Sequence, residues 1–212
     1  MQSSEIARPA GRPQPERLQP GRSQPGRPRC DATRKSVLAA AYDLLAEGGL
    51  SRFTIEGVAV RSGVARSTIY RWWPSKGALA MEGFLQATAA DLAVPASDSV
   101  VADLQATLRR FARLVRGKAG RIIRCIIAEG QGDPETIEAF LTGFVMPRRA
   151  EVRAVIARGI ASGELRRDLD VEITCSGLFG PLYLRMLLNE GVDDAWVDRL
   201  SGFVLAGCLA RR

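Results

Sequence analysis

The chain has 212 residues, of which 46% are hydrophobic and 25% are charged, and its formal net charge is +7. This length accommodates one small unit and one larger core-forming domain, and no run approaches the ~18 apolar residues of a membrane span. The first thirty residues lack the apolar segment of a signal peptide, so we expect a cytoplasmic protein without a membrane partner.

The excess positive charge lies in the N-terminal third of the chain. Residues 1–30 carry six Arg against two Glu, and residues 31–77 carry seven Lys or Arg against four acids. Residues 78–212 are balanced, with 17 charges of each sign. A basic surface is usually just solvated, but this asymmetry indicates a polyanionic partner if it coincides with a DNA-binding motif.

The first segment, residues 1–30, is rich in Pro, Gly, Gln and Arg and poor in hydrophobic residues. This composition predicts a disordered, polyproline-like arm with no fold of its own. Its Gly-Arg-Pro triplets at 11–13 and 26–28 resemble the core of an AT-hook, which lays arginine into narrow minor grooves. Minor-groove contact, nonspecific tethering and no role all stay open for this arm.

Three helices are predicted between residues 31 and 78. The first covers about 33–47 and stops at a glycine pair. The second opens at Thr54, whose hydroxyl can cap it, and ends where Gly63 permits a left-handed turn. The third covers about 65–73. Two short helices joined by a glycine turn are the layout of a helix-turn-helix DNA reader.

The third predicted helix has two faces. Ile69 and Trp73 lie four residues apart and form the face that packs. The opposite face carries hydroxyl and guanidinium groups, which can bind phosphates or base edges. Ser75 can then cap a further helix, whose N-terminal N–H groups suit a phosphate. The residues expected to contact DNA are Thr54, Arg66, Ser67, Thr68, Tyr70, Arg71, Trp72 and Lys76.

This stretch resembles the DNA-binding domain of the tetracycline-repressor (TetR) family of bacterial transcriptional regulators. The resemblance covers about residues 33–85, and its motifs are Gly48-Gly49, Phe53, Thr54, Gly63-Val64-Ala65, Thr68-Ile69-Tyr70, Trp72-Trp73 and Lys76. It implies an all-α protein with a three-helix DNA-binding domain at residues 31–78 and a helical effector-binding and dimerisation domain at residues 79–212. Ala65 stands where the family usually has a capping serine, so the third helix is expected to lack a side-chain cap.

The remaining sequence shows helical periodicity and no β-hairpin signal. About nine helices are expected in total, one of them kinked by Pro147. After the third, they are placed at about 75–94, 98–116, 120–129, 134–162, 171–189 and 194–210.

The last two predicted helices are apolar on more than one face. A buried hairpin inside one protomer explains part of this pattern, and packing against a second copy, as in the resembled family, explains the rest. Two readers related by a two-fold axis match a palindromic operator with half-sites about 34–36 Å apart, or a multiple of that distance. The expected interface residues are Leu178, Leu182, Met186, Trp196, Leu200, Phe203 and Val204.

A pocket for an unknown small-molecule effector is expected in the C-terminal domain, because the resemblance implies a ligand-responsive regulator. Aromatic residues at helical spacing are more often core than pocket. Arg124 and Glu129 would serve as polar groups only if they face inward. The candidate pocket residues are Arg124, Ile126, Glu129, Phe140, Phe144, Phe179 and Tyr183.

Together these features predict a sequence-specific DNA-binding regulator, a ligand-released repressor acting as a homodimer. Two alternatives stay open. The first is an architectural protein that binds DNA without sequence preference. The second is a helical enzyme with an incidental helix-turn-helix, although the chain has no histidine, no Gly-x-Ser-x-Gly elbow and no Walker loop. No metal or cofactor is expected, and the four widely spaced cysteines are expected to be buried free thiols.

Overall fold

The computed structural model describes residues 27–210, which form helices joined by short connections. Residues 1–26 and 211–212 lie outside the described residues, and with them lie most of the expected arm and its first Gly-Arg-Pro triplet. In chain order the helices are α1 Arg27–Gly48, α2 Ile55–Ser62, α3 Arg66–Trp72, α4 Lys76–Thr88, α5 Val100–Arg116, α6 Lys118–Gly130, α7 Pro134–Phe140, α8 Met146–Ser162, α9 Val171–Leu187 and α10 Asp194–Ala206.

The predicted all-α class is confirmed. A π-helical turn, Leu141–Val145, joins α7 to α8 without a break, so the described residues form nine helices when that segment is counted as one. The only extended pairing between residues 27 and 210 is an isolated bridge between Leu165 and Leu209. None of the helices in this part of the chain is long and apolar enough to cross a bilayer.

The first helix begins at Arg27, earlier than the predicted residue 33. Residues 27–30, which their composition assigned to the arm, therefore form the start of α1. Pro28 is tolerated there because the first N–H groups of a helix have no intrahelical partner in any case.

Local capping sets the ends of α2 and the start of α3 as the sequence predicts. The Thr54 hydroxyl accepts the N–H of Gly57 at 3.0 Å. Gly63 ends α2 with φ of 69°, in the left-handed region that a Cβ disfavours. Ala65 precedes α3 without a side-chain hydrogen bond, so the expected missing cap is confirmed.

Helices α1 to α3 are joined to the rest of the molecule by close packing of α4 on α1. A Cβ built on Gly83 of α4 would lie 3.1 Å from the carbonyl oxygen of Leu38 and 3.2 Å from the Cβ of Ala41. A larger residue would force the two helices apart, so glycine lets their backbones approach.

The segment 134–162 departs from the predicted kink at Pro147. The N–H of Met146 donates to the carbonyl of Leu141, five residues earlier, which makes residues 141–145 a π turn. Proline has no N–H to donate and its ring clashes with the carbonyl four residues before it, so a wider turn just ahead of Pro147 relieves both problems. The irregularity therefore precedes the proline.

Two helices end earlier than predicted. The regular part of α4 stops at Thr88 rather than near residue 94, and the Thr88 hydroxyl donates to the carbonyl of Phe84 at 2.9 Å. The last helix stops at Ala206 rather than residue 210, because the following residues pair with the connection between α8 and α9. There the N–H of Arg166 donates to the carbonyl of Cys208 at 3.0 Å.

A buried carboxylate holds the start of α5 against α8. Asp103 is 1% exposed, and it accepts hydrogen bonds from Ser97 and from the Arg158 guanidinium. Burial alone would raise the pKa of Asp103, but the hydrogen bonds from Ser97 and Arg158 outweigh it and hold the pKa below its usual value.

The cysteines are free thiols, but not all of them are buried. Cys175 and Cys208 are buried and Cys125 is partly covered, whereas Cys30 is exposed, so the expected burial is wrong for Cys30. Among residues 27–210 there is no cluster of three His, Cys, Asp or Glu side chains that could hold a metal ion.

Candidate DNA-reading surface and effector cavity

The outer face of α3 is polar and exposed. Arg66, Ser67, Tyr70 and Arg71 are all exposed, and the Arg66 side chain is 63% accessible. The helical spacing of 3.6 residues places the apolar Ile69 on the opposite face, where it is fully buried. The two faces are thus separated as the sequence predicts, and the exposed one is free to meet a flat or grooved partner.

Two of the expected DNA contacts on α3 are less accessible. Thr68 and Trp72 are half-buried, and the Trp72 ring meets the Trp73 ring edge-on at 5.5 Å between centroids. Only part of each side chain is therefore open to a ligand. Their role as DNA contacts stays a prediction.

The remaining expected contacts lie at helix N-termini beside α3. Thr54 is exposed at the start of α2, and although its oxygen accepts the Gly57 N–H, its own hydroxyl proton remains available to donate. Lys76 is exposed at the start of α4, where the Ser75 hydroxyl accepts the N–H of Ala78 at 3.1 Å. Both positions combine donors with the positive end of a helix dipole.

One acid lies beside this basic face. The Arg66 Nη1 is 3.2 Å from the Oε1 of Glu56, which belongs to the first turn of α2. A hydrogen bond from its own backbone and then the Arg66 guanidinium lower the pKa of Glu56. Sequence reasoning missed this pair, since the two residues lie on different helices.

The end of α3 is anchored by a buried tryptophan. The Nε1 of Trp73 donates to the Oε2 of Glu82 on α4 at 2.6 Å. The Arg34 guanidinium of α1 pairs with the same carboxylate and lies 5.4 Å from the Trp73 ring centroid. Helices α1, α3 and α4 therefore meet at one polar contact.

A cavity of about 560 Å³ lies between α5, α6, α7, α8, α9 and the π turn. Most of its walls are apolar, and five aromatic rings contribute, with Phe111 facing Phe179 at 5.7 Å and Tyr183 at 5.1 Å between centroids. Such a volume and lining suit a drug-sized small molecule. Of the residues expected in a pocket, those that line the cavity are Phe140, Phe144, Phe179 and Tyr183.

The other three expected pocket residues do not line the cavity. Glu129 instead accepts the N–H of Ser51 at 3.2 Å, at the connection between α1 and α2. Ile126 is buried away from the cavity, and its neighbour Ile127 lines it instead. Arg124 also lies outside the lining. The pocket prediction is therefore corrected for Arg124, Ile126 and Glu129.

Charged groups lie at one side of the cavity, and sequence reasoning missed them. Arg148 and Arg149 both contribute to the lining, directly after Pro147. Burial raises the pKa of Tyr183 to about 12, although the Arg149 charge acts in the opposite direction. The Tyr183 hydroxyl is therefore a protonated donor inside the cavity at neutral pH.

The π turn lies between this cavity and α4. The Phe144 ring lines the cavity and meets the Phe84 ring of α4 edge-on, with 4.9 Å between centroids. A Cβ built on Gly143 would lie 3.4 Å from the side chain of Met81, also on α4. A change in the cavity wall is thus one contact away from α4, the helix whose Glu82 binds Trp73.

Comparison with known proteins agrees with this architecture. Residues 37–83 match the family model described as bacterial regulatory proteins of the tetR family. Residues 94–204 match the model of the tetracyclin repressor-like C-terminal domain, so the two matches together span most of the chain.

The chain belongs to the TetR family.

Individual relatives support the assignment over most of the chain. The HTH-type transcriptional regulator YdeS of Bacillus subtilis is 37% identical over 174 residues, which are 82% of this chain and 88% of YdeS. The DNA-binding transcriptional repressor TetR of Mycobacteroides abscessus is 26% identical over 179 residues, 84% of this chain and 94% of that protein.

The crystal structure of the TetR family transcription regulator SCO0332 superposes with a TM-score of 0.71 at 38% sequence identity. The match covers 82% of this chain and 97% of that structure. The predicted family is therefore confirmed, and this TetR-family chain is a DNA-binding transcriptional regulator.

This TetR-family chain also has an exposed apolar face on its last two helices. Ile173, Leu184 and Leu188 follow one side of α9 and its end, and Ile173 is 71% exposed. On α10, Phe203 is 84% exposed. Exposed large side chains grouped in this way mark interaction sites in soluble proteins.

Three of the expected interface residues lie elsewhere. Leu178, Leu182 and Met186 are buried inside the protomer, on the side of α9 that faces its own core, so they are not on the surface that a partner would meet. The interface prediction is corrected for these three. Trp196, Leu200 and Val204 are half-buried, and with Phe203 they stay predicted interface residues.

Proposed function

We propose that this TetR-family chain is a homodimeric repressor in the cytoplasm that binds a palindromic operator and releases it when an effector fills the cavity. In this proposal it is not an enzyme. The observation that carries it is the exposed polar face of α3, which lies between the capped N-termini of α2 and α4.

The polar groups around α3 fit the grooves and backbone of duplex DNA. Arg66 and Arg71 can bind guanine edges or phosphates through their forked guanidinium groups. Tyr70, Thr54 and Lys76 offer donors that suit phosphate oxygens, which position a reader without specifying sequence. Glu56 holds Arg66 in the free protein, so DNA must compete with this ion pair.

The apolar face on α9 and α10 supports the dimer in this proposal. A two-fold axis through this face would cover Phe203 and Leu184 in both copies at once, because a two-fold interface uses the same patch twice. A two-fold dimer matches an operator whose half-sites lie about 34–36 Å apart, or a multiple of that distance. Without a partner these side chains remain in water.

The cavity can influence DNA binding through a short series of contacts. Phe144 lines the cavity and contacts Phe84 on α4, and Glu82 of the same helix holds Trp73 at the end of α3. A ligand that favours another position of the π turn therefore shifts α4 and α3 together. By linkage, the ligand weakens operator binding by the same factor by which the operator weakens ligand binding, typically about 5–150-fold.

The proposal is tested with the purified full chain on the promoter region between its own gene and the neighbouring gene. We expect protection of a palindromic site, and binding to that site at least ~10³-fold tighter than to the scrambled sequence. Equal binding to both fragments would instead identify an architectural protein and refute the proposal.

Matched arginine variants locate the reading surface. We expect Arg71→Gln to weaken operator binding and, if it contacts phosphate, to lower the slope of log affinity against log salt by about 1. Arg113→Gln removes the same charge from an exposed position on α5 and should change neither quantity. Equal losses in both variants would show that only net charge matters.

A further inference from the structure

The chemistry of the cavity narrows the class of effector, an inference that rests on the proposed function. Its walls are mostly aromatic and aliphatic, and apart from Thr107 on α5 the polar side chains lie on α8 and α9. There, two arginines oppose a single carboxylate, Glu151, so the lining carries net positive charge.

The two arginines are not equivalent. Arg148 is neutralised by Glu151 on the same helix, with Nη1 3.0 Å from the carboxylate. Arg149 donates to the neutral Ser176 hydroxyl at 3.1 Å, and its nearest carboxylate, Glu172, is 4.0 Å away. Glu172 is engaged more closely by Arg153. Arg149 is therefore the lining charge that is least compensated within the described residues.

The Tyr183 hydroxyl adds a donor to the same side. Tyr183 lines the cavity and lies about two helical turns after Ser176 on the same face of α9, and Arg149 binds Ser176. A protonated phenol and a guanidinium on one side of a cavity can both donate to an anionic group. The Arg149 charge would repel an ammonium group, and the one lining carboxylate is already occupied by Arg148.

We propose that the effector is a mainly apolar, ring-containing anion whose carboxylate or similar oxygen group binds Arg149 and Tyr183. Its apolar body packs against the rings of Phe111, Phe140 and Phe179. Charge-assisted hydrogen bonds in a water-poor site are stronger than neutral ones, so the anionic group contributes much of the specificity.

Two fluorescent probes of nearly the same shape test this assignment. Anilinonaphthalenesulfonate is apolar with one anionic group, and N-phenylnaphthylamine has the same rings without the anion. Both are titrated into wild type and into Arg149→Gln, in which Gln keeps a donor for Ser176 but removes the charge. We expect Arg149→Gln to weaken sulfonate binding by about 10-fold or more and to change amine binding by less than about twofold.

Arg113→Gln is the matched control. Arg113 is exposed on α5 and does not line the cavity, and its substitution removes the same charge. It should leave binding of both probes unchanged. Tyr183→Phe, which removes only the hydroxyl, should weaken the sulfonate about threefold or more and leave the amine unchanged.

Equal effects of Arg149→Gln on both probes, equal effects of Arg149→Gln and Arg113→Gln, or failure of both probes to bind would overturn the assignment. Operator binding by the wild-type protein without probe is measured alongside. If the expected difference between the two probes is absent but the protein still prefers its operator, only the effector class is refuted. If the protein shows no operator preference, the proposed regulator function is refuted.

Discussion

Replacing Phe203 by Glu should separate the proposed dimer without unfolding its subunits. Phe203 is 84% exposed on α10, so its side chain contributes little to the core of its own protomer. Burying such a side chain against a partner is worth about 1.5–3 kcal/mol, and a two-fold interface buries it twice. The expected loss is ~3–6 kcal/mol, which raises the dimer dissociation constant about 10²–10⁴-fold.

The measurement is sedimentation velocity across a wide range of protein concentration. Val60→Glu is the matched control, because Val60 is 85% exposed but lies on α2, far in the chain from the apolar face. It should leave the dissociation constant unchanged, and circular dichroism should report the same helix content for both variants. A Phe203→Glu protein with the same dimer dissociation constant as the wild type would refute the assignment of this face.

Three further predictions concern single side chains. Glu56→Gln frees Arg66 and removes a charge that repels phosphate, so operator binding measured by gel shift should tighten about 2–10-fold. Unchanged or weaker binding would contradict the competition between Glu56 and DNA for Arg66. Asp103→Asn leaves Arg158 without its buried partner and should lower the free energy of unfolding, measured in urea, by ~2–4 kcal/mol. In the wild type this stabilisation is present above the usual carboxyl pKa and is lost as pH falls through the lowered pKa of Asp103. A variant as stable as the wild type would refute the stabilising role of Asp103. Tyr183 ionises near 10 when unfolded but only at about 12 when folded, so the free energy of unfolding should fall between these pH values by about 2–3 kcal/mol, and Tyr183→Phe should show a smaller fall over the same range.

Features of the DNA-reading unit that depend on near neighbours could be predicted from sequence. The Thr54 cap, the left-handed Gly63 and the uncapped Ala65 each depend on groups within a few residues. The burial of Ile69 follows from helical spacing alone. Local chemistry is fully visible in the sequence, so these predictions agree with the structure.

Features that join distant segments could not be predicted. The Glu82 carboxylate that holds Trp73 belongs to another helix, and no short-range pattern connects the two. Arg149 lines the cavity only because the π turn sets the rotation of α8, which the presence of Pro147 alone does not specify.

The two faces of α9 show a different limit. When a helix is apolar all round, composition does not say which side meets its own core. Leu178 and Leu182 face inward, whereas Ile173 and Leu184 face solvent, and all four have similar hydrophobicity. Only tertiary packing distinguishes them.

The π turn at residues 141–145 also makes this segment tolerant of a change in length. The wide turn holds one residue more than a regular turn, so deleting one residue here would close it to an α-helical turn and leave α8 facing nearly the same way. The same deletion in a regular stretch of helix would rotate every following side chain by about 100°. Related regulators with and without this single extra residue would therefore present the same side chains to their ligands from positions that differ by one in number.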